Sequence, residues 1–119
     1  MAEGIPYRNR SPHGWWVATY LERPAMSDRV HREDDDPIDL VWENTIILQA
    51  PDRDAAYEKA VRLGIAGNGQ VFLGLVSLLP IHDPLGDGTE ILWTEHENIP
   101  LSKVRSWIKA REELEAFDD

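Results

Sequence analysis

The 119-residue chain has no cysteine, which excludes disulfides, thiolate zinc sites and cysteine nucleophiles. That absence fits a reducing compartment, and we expect a cytoplasmic protein. Positive charge is scarce. Twelve lysines and arginines stand against 22 acids, giving a formal net charge of −10. Nucleic acid is not an expected partner, because its phosphates would be repelled rather than neutralised. Long apolar runs are also missing. No stretch approaches the roughly 18 residues that span a bilayer, so no membrane partner is expected. Residues 1–13 contain Arg8 and Arg10 but no apolar h-region, so they read as a flexible arm and not as a signal peptide.

The remaining residues, 14–119, are enough for one domain with its own core. The acidity is uneven. From Ile81 to Glu97 there are five acids and no base, and from Arg111 to Asp119 five acids and one base. Acidic loops and ends of this kind keep a small protein in solution, or they steer a basic protein partner.

The chain is organised around Asp39–Gly64, which reads as a strand, a break at Ala50-Pro51 and an amphipathic helix. Strand signals cover 15–22, 38–49, 70–79 and 89–96, and helix signals cover 52–64 and 100–115. In the first strand Trp15, Val17, Thr19 and Leu21 alternate with Trp16, Ala18 and Tyr20. In the second, Ile38, Leu40, Trp42, Asn44, Ile46 and Leu48 form the core face, and Val41, Glu43, Thr45 and Ile47 the other. That strand is long enough to require a bulge or a bend. Four tryptophans, Trp15, Trp42, Trp93 and Trp107, are expected in the core. The charged stretch 22–37 reads as a long acidic loop, and Asp34-Asp35-Asp36 within it as a solvated charge run.

Asp52 or Asp54 caps the first helix. Its buried stripe is Ala56, Ala60 and Leu63, with Val61 at the margin and Gly64 just past the end. The apolar run 70–79 reads as a central strand, and 89–96 as its hairpin partner. The last helix, capped by Asn98, would dock through Leu101, Val104 and Ile108 with Trp107, Leu114 and Phe117 beside them. The expected fold class is α+β: a two-layer sandwich of a four-stranded, mostly antiparallel sheet with two helices, in the order ββαββα.

The segments WWVATYL (Trp15 to Leu21), VWENTIILQA (Val41 to Ala50), DAAYEKAVRLG (Asp54 to Gly64) and GQVFLGLVSLLPI (Gly69 to Ile81) resemble an uncharacterised bacterial family. It is the one catalogued as "domain of unknown function 4288". The resemblance covers roughly residues 14–97, with 22–37 as an insertion. It implies an α+β fold and a bacterial origin, and it implies no activity.

Catalytic signals are weak. The histidines at 13, 31, 82 and 96 lack metal-binding spacing, and no serine has a nucleophile-elbow context. Nothing calls for a cofactor or a metal. Two functional classes remain. One is a non-enzymatic protein-binding or self-associating module, with an immunity- or antitoxin-type inhibitor of a basic partner as a variant. The other is a small hydrolase or metal-dependent enzyme using Glu43, Glu90, His82 or His96. Convergence of two of these side chains in one pocket favours the enzyme. Two helices cover one face of a four-stranded sheet but not both. The second face is therefore expected to expose Trp16, Tyr20, Val41 and Ile47, and to pair two copies as a homodimer.

Overall fold

The computed structural model describes residues 4–24, 40–66 and 69–118. The acidic loop beyond Pro24, with Asp34-Asp35-Asp36, lies outside these residues. So does the expected strand start at Ile38 and Asp39.

Among the described residues three strands form: β1 (Trp15–Arg23), β2 (Trp42–Gln49) and β3 (Val71–Pro80). The order in the sheet is β2-β1-β3, with β1 antiparallel to both neighbours. β2 and β3 therefore run parallel on either side of β1. Helix α1 (Arg53–Ile65) connects them, making a split β-α-β unit. The expected four-stranded sheet is thus corrected to three strands, with one substantial helix among the described residues. The second helix, α2, spans only Leu101–Arg105.

α1 begins where the sequence places it. Pro51 ends the strand, and Asp52 Oδ1 accepts a hydrogen bond of 2.8 Å from the Ala55 amide. The buried stripe is Ala56, Ala60 and Gly64, not Leu63, which is exposed. Gly64 lies inside the helix and not beyond it. A Cβ there would sit 2.4 Å from Phe72 Cε1. The glycine exists for close helix–sheet approach, and Ala66 is the cap residue instead.

The core lies between α1 and one sheet face. Trp16, Ala18, Leu48, Ala50, Ala56 and Ala60 form it, with Ile46, Leu75 and Leu78 packed around them. Trp16 is 2% exposed, and its indole Nε1 donates to the Ala50 carbonyl at 3.0 Å. Trp42 shares the helix side of β2 but is 40% exposed. It sits at the strand's start, and α1 packs most extensively on β3. Asn44, the polar member of this face, donates 2.7 Å from Nδ2 to Oε1 of the buried Glu22. Its polarity meets a buried acceptor whose loss of a partner would cost about 1–3 kcal/mol.

The irregularity expected in the second strand occurs elsewhere. β1 and β2 pair without interruption from Trp15 opposite Gln49 to Glu22 opposite Trp42. The register shifts fall between β1 and β3, at Thr19/Tyr20 and Leu21/Glu22, and leave Val76 and Leu73 as the extra residues on β3. Gly74, at φ 152°, supplies the backbone that these bulges need.

Two bulges bend β3 and break the row of amides that a fourth strand would follow. Residues 89–96 accordingly carry no strand. Ile91, Leu92 and Trp93 are consecutive apolar residues, so no register buries all three on one face. The last helix lacks a surface to dock on, and an undocked helix this short is marginal on propensity alone. Its end tightens as the Ser106 hydroxyl donates back to the Lys103 carbonyl at 2.5 Å. Asn98 adopts a left-handed turn, φ 54°, and does not cap it.

Candidate functional site

The sheet face away from α1 carries Trp15, Val17, Thr19 and Leu21 on its central strand, as alternation requires. Across it, Ile47, Val17 and Leu79 form one row. The next row is polar: Thr45, Thr19 and Ser77, with Thr45 Oγ1 and Thr19 Oγ1 2.9 Å apart. Val17 is buried, whereas Ile47 and Leu79 on its flanks are exposed.

The four residues expected to share an exposed face do not share one. Ile47 is on the open face and Val41 is exposed just before β2. Trp16 is in the core beneath α1. Tyr20 lies on the same helix side, half-buried, its ring 5.9 Å from that of Phe72. The reversal follows from which face the alanine stripe of α1 selects.

The tail adds a second apolar surface. Ile91, Leu92, Trp93, Leu101, Trp107 and Ile108 are all exposed, Ile108 at 74%. Of the four tryptophans expected in the core, Trp42, Trp93 and Trp107 are exposed and Trp15 is half-buried. The accessible surface is 9425 Å². A compact chain of this length exposes about 6,600 Å², roughly 2,800 Å² less. The radius of gyration, 18.2 Å, likewise exceeds the roughly 13.5 Å of a compact domain.

The sheet has two edges. The Ala50 amide donates 2.8 Å to the Gly14 carbonyl, which fixes the phase of the β1–β2 ladder. Even-numbered residues of β2 bond inward to β1, so the N–H and C=O groups of Glu43, Thr45 and Ile47 point outward. Farther along, the outward Gln49 carbonyl accepts from Lys59 Nζ at 2.9 Å. Among the described residues no strand pairs with this edge.

The N-terminal segment folds along one end of the sheet. Ser11 Oγ lies 2.6 Å from the Trp15 carbonyl and 3.0 Å from that of Ile81. Between this segment and the start of α1 is a hollow of about 460 Å³, floored by Trp16 and flanked by Arg10, Asp52 and Arg53. A second hollow, of about 310 Å³, is lined by Arg8, Leu79, His82, Asp83, Glu90 and Trp93, among others.

Two of the candidate catalytic residues, His82 and Glu90, line the same hollow, but no hydrogen bond or ion pair joins them, so they do not converge. His82 is engaged there: its ring stacks on Tyr7 at 5.1 Å, and Nε2 lies 3.2 Å from the Tyr7 carbonyl. His96 packs instead against Trp107, at 5.1 Å, and Glu43 is exposed on β2. Among the described residues no three His, Asp or Glu side chains are placed to hold a metal ion. In the tail, Glu115 sits below its ordinary value, first through hydrogen bonding with its own backbone and then through Lys109, 3.4 Å away. That pair is far out in the tail's sequence and belongs to neither hollow.

Two features escape a reading of the sequence. The bulges at Leu73 and Val76 had one signal, a glycine inside an apolar strand. The outward amides of β2 had none, because edge position depends on strand order. Among the described residues no helix is long and apolar enough to cross a membrane. No protein-family model, curated protein or solved structure matches this chain.

Proposed function

We propose that this protein is a non-enzymatic protein-binding module that associates with itself. The observation that carries the reading is the set of large apolar side chains exposed on the open sheet and in the tail, Ile47, Leu79, Trp93 and Ile108 among them. Clusters of exposed apolar side chains are more often interfaces than features of a monomer. The likeness to the unknown-function family is part of the same reading, and it supplies no competing activity. An immunity-type inhibitor of a basic protein fits the acidic tail, with five acids against one base from Arg111 to Asp119, and a formal charge of −10 on the whole chain that steers cations. A cytoplasmic setting belongs to this proposal too.

Ile47 provides the test. Ile47→Glu places a charge on the open face without touching the core. Its dimer dissociation constant, read by sedimentation, is expected to rise about tenfold or more. An unchanged constant removes the open face of β2 from the interface.

The second reading, a small hydrolase or metal-dependent enzyme, draws on the hollow shared by His82 and Glu90. Zinc titration followed by thermal melting tests it. A midpoint raised by zinc in the parent chain, and not in His82→Ala, would favour it over the module.

A further inference from the structure

We infer that two copies of this chain join edge to edge through β2, antiparallel about a two-fold axis, into one continuous sheet. The inference rests on the self-association reading and adds the surface and the register to it.

The two edges of the sheet differ. β3 is interrupted by bulges at Leu73 and Val76, and it ends in Pro80. Bulges and prolines are what native edges use against pairing. β2 has neither. Its ladder with β1 is unbroken, and Glu43 is its only charge. A regular, nearly uncharged edge strand presents its main-chain groups to another strand.

Two-fold symmetry then restricts the register. The axis stands perpendicular to the sheet, so paired residues must share a face. Of the outward-facing residues of β2, Gln49 has its carbonyl taken by Lys59, which leaves Glu43, Thr45 and Ile47. Only one register pairs all three among themselves: Thr45 opposite Thr45 of the second copy, and Glu43 opposite Ile47 of the second copy. It makes about six main-chain hydrogen bonds. Neither glutamate faces its own copy, so the like-charge penalty of a cross-strand pair is avoided.

The same register fills a gap on the helix side. α1 favours β3 and leaves Trp42 and the flank of Ile46 uncovered. Trp42 would lie beside Leu48 of the second copy, and Asn44 beside Ile46 of the second copy. A stable homodimer needs roughly 1,000 Å² or more from each subunit. Val41, Trp42 and Ile47, all exposed along this edge, would contribute to it. The opposing factor is a formal charge of −10 on each copy, so association should strengthen with salt.

The absence of cysteine makes the register directly readable. In the full chain, Thr45→Cys should oxidise to a disulfide-linked dimer. Opposed residues of a hydrogen-bonded pair are about 5.5 Å apart at Cα, within disulfide reach. Glu43→Cys should not link, because its copy is about 13 Å away along the strands. Thr45→Pro removes an outward N–H that the monomer does not use and is expected to raise the dissociation constant about a hundredfold, with Thr45→Ala as the side-chain control. Circular dichroism of both variants checks that they fold. Linkage of Glu43→Cys as fast as Thr45→Cys overturns the register. A Thr45→Pro variant that folds and dimerises like Thr45→Ala overturns the edge while leaving self-association through another surface. A monomer in every variant and in the parent overturns both.

Discussion

Trp16→Ala will lower the free energy of unfolding by about 3–5 kcal/mol, the largest loss expected from any single tryptophan here. The indole is 2% exposed at the centre of the helix–sheet core, and its N–H bonds the Ala50 carbonyl. Truncation leaves a cavity and an unpaired acceptor together. Trp42→Ala, by contrast, should cost roughly 1 kcal/mol, because 40% of that residue is already in water. Trp42 is therefore not the core tryptophan that strand alternation suggests. Glu43→Ala should stay within about 0.5 kcal/mol of the parent. Urea denaturation at low micromolar concentration, where association contributes little, checks all three. A loss for Trp42→Ala equal to that for Trp16→Ala would contradict the placement of α1.

Gly64→Ala is expected to destabilise by about 1–3 kcal/mol, against the direction of helix propensity. Glycine to alanine inside a helix ordinarily gains about 0.5–1 kcal/mol. Here the added methyl would meet the Phe72 ring at 2.4 Å. That ring is held by β3 beneath it and by Tyr20 at its side. Pairing the change with Phe72→Leu should recover part of the loss, a coupling that a double-mutant cycle measures. A stabilised Gly64→Ala would mean that helix and strand sit farther apart than described.

The local signals were readable, and the long-range ones were not. Asp52 as a cap, the alanines of α1 and the strand runs around Trp16, Ile46 and Leu75 follow from nearest-neighbour chemistry. Which face of β1 the helix covers does not, since both carry a tryptophan. The tail misled for a related reason. Residues 100–115 have a helical stripe and 89–96 an apolar run, but each needs a surface to bury against. The bulges at Leu73 and Val76 close the nearer edge of the sheet to both. The candidate surface was half legible. Ile47 is exposed as alternation on β2 demands and Val41 is exposed just before the strand, whereas Trp16 and Tyr20 belong to the helix side. His82 and Glu90 line one hollow only because the chain turns between β3 and the tail.

The tail's exposed apolar residues and the open edge of β2 make the same demand, a second polypeptide. Light scattering of the full chain in moderate salt, from low micromolar to a few hundred micromolar, measures it most directly. The expected mass rises towards that of two chains, and rises sooner as salt screens the acidic surface. A mass that stays at one chain throughout, unchanged by Ile47→Glu, would contradict self-association.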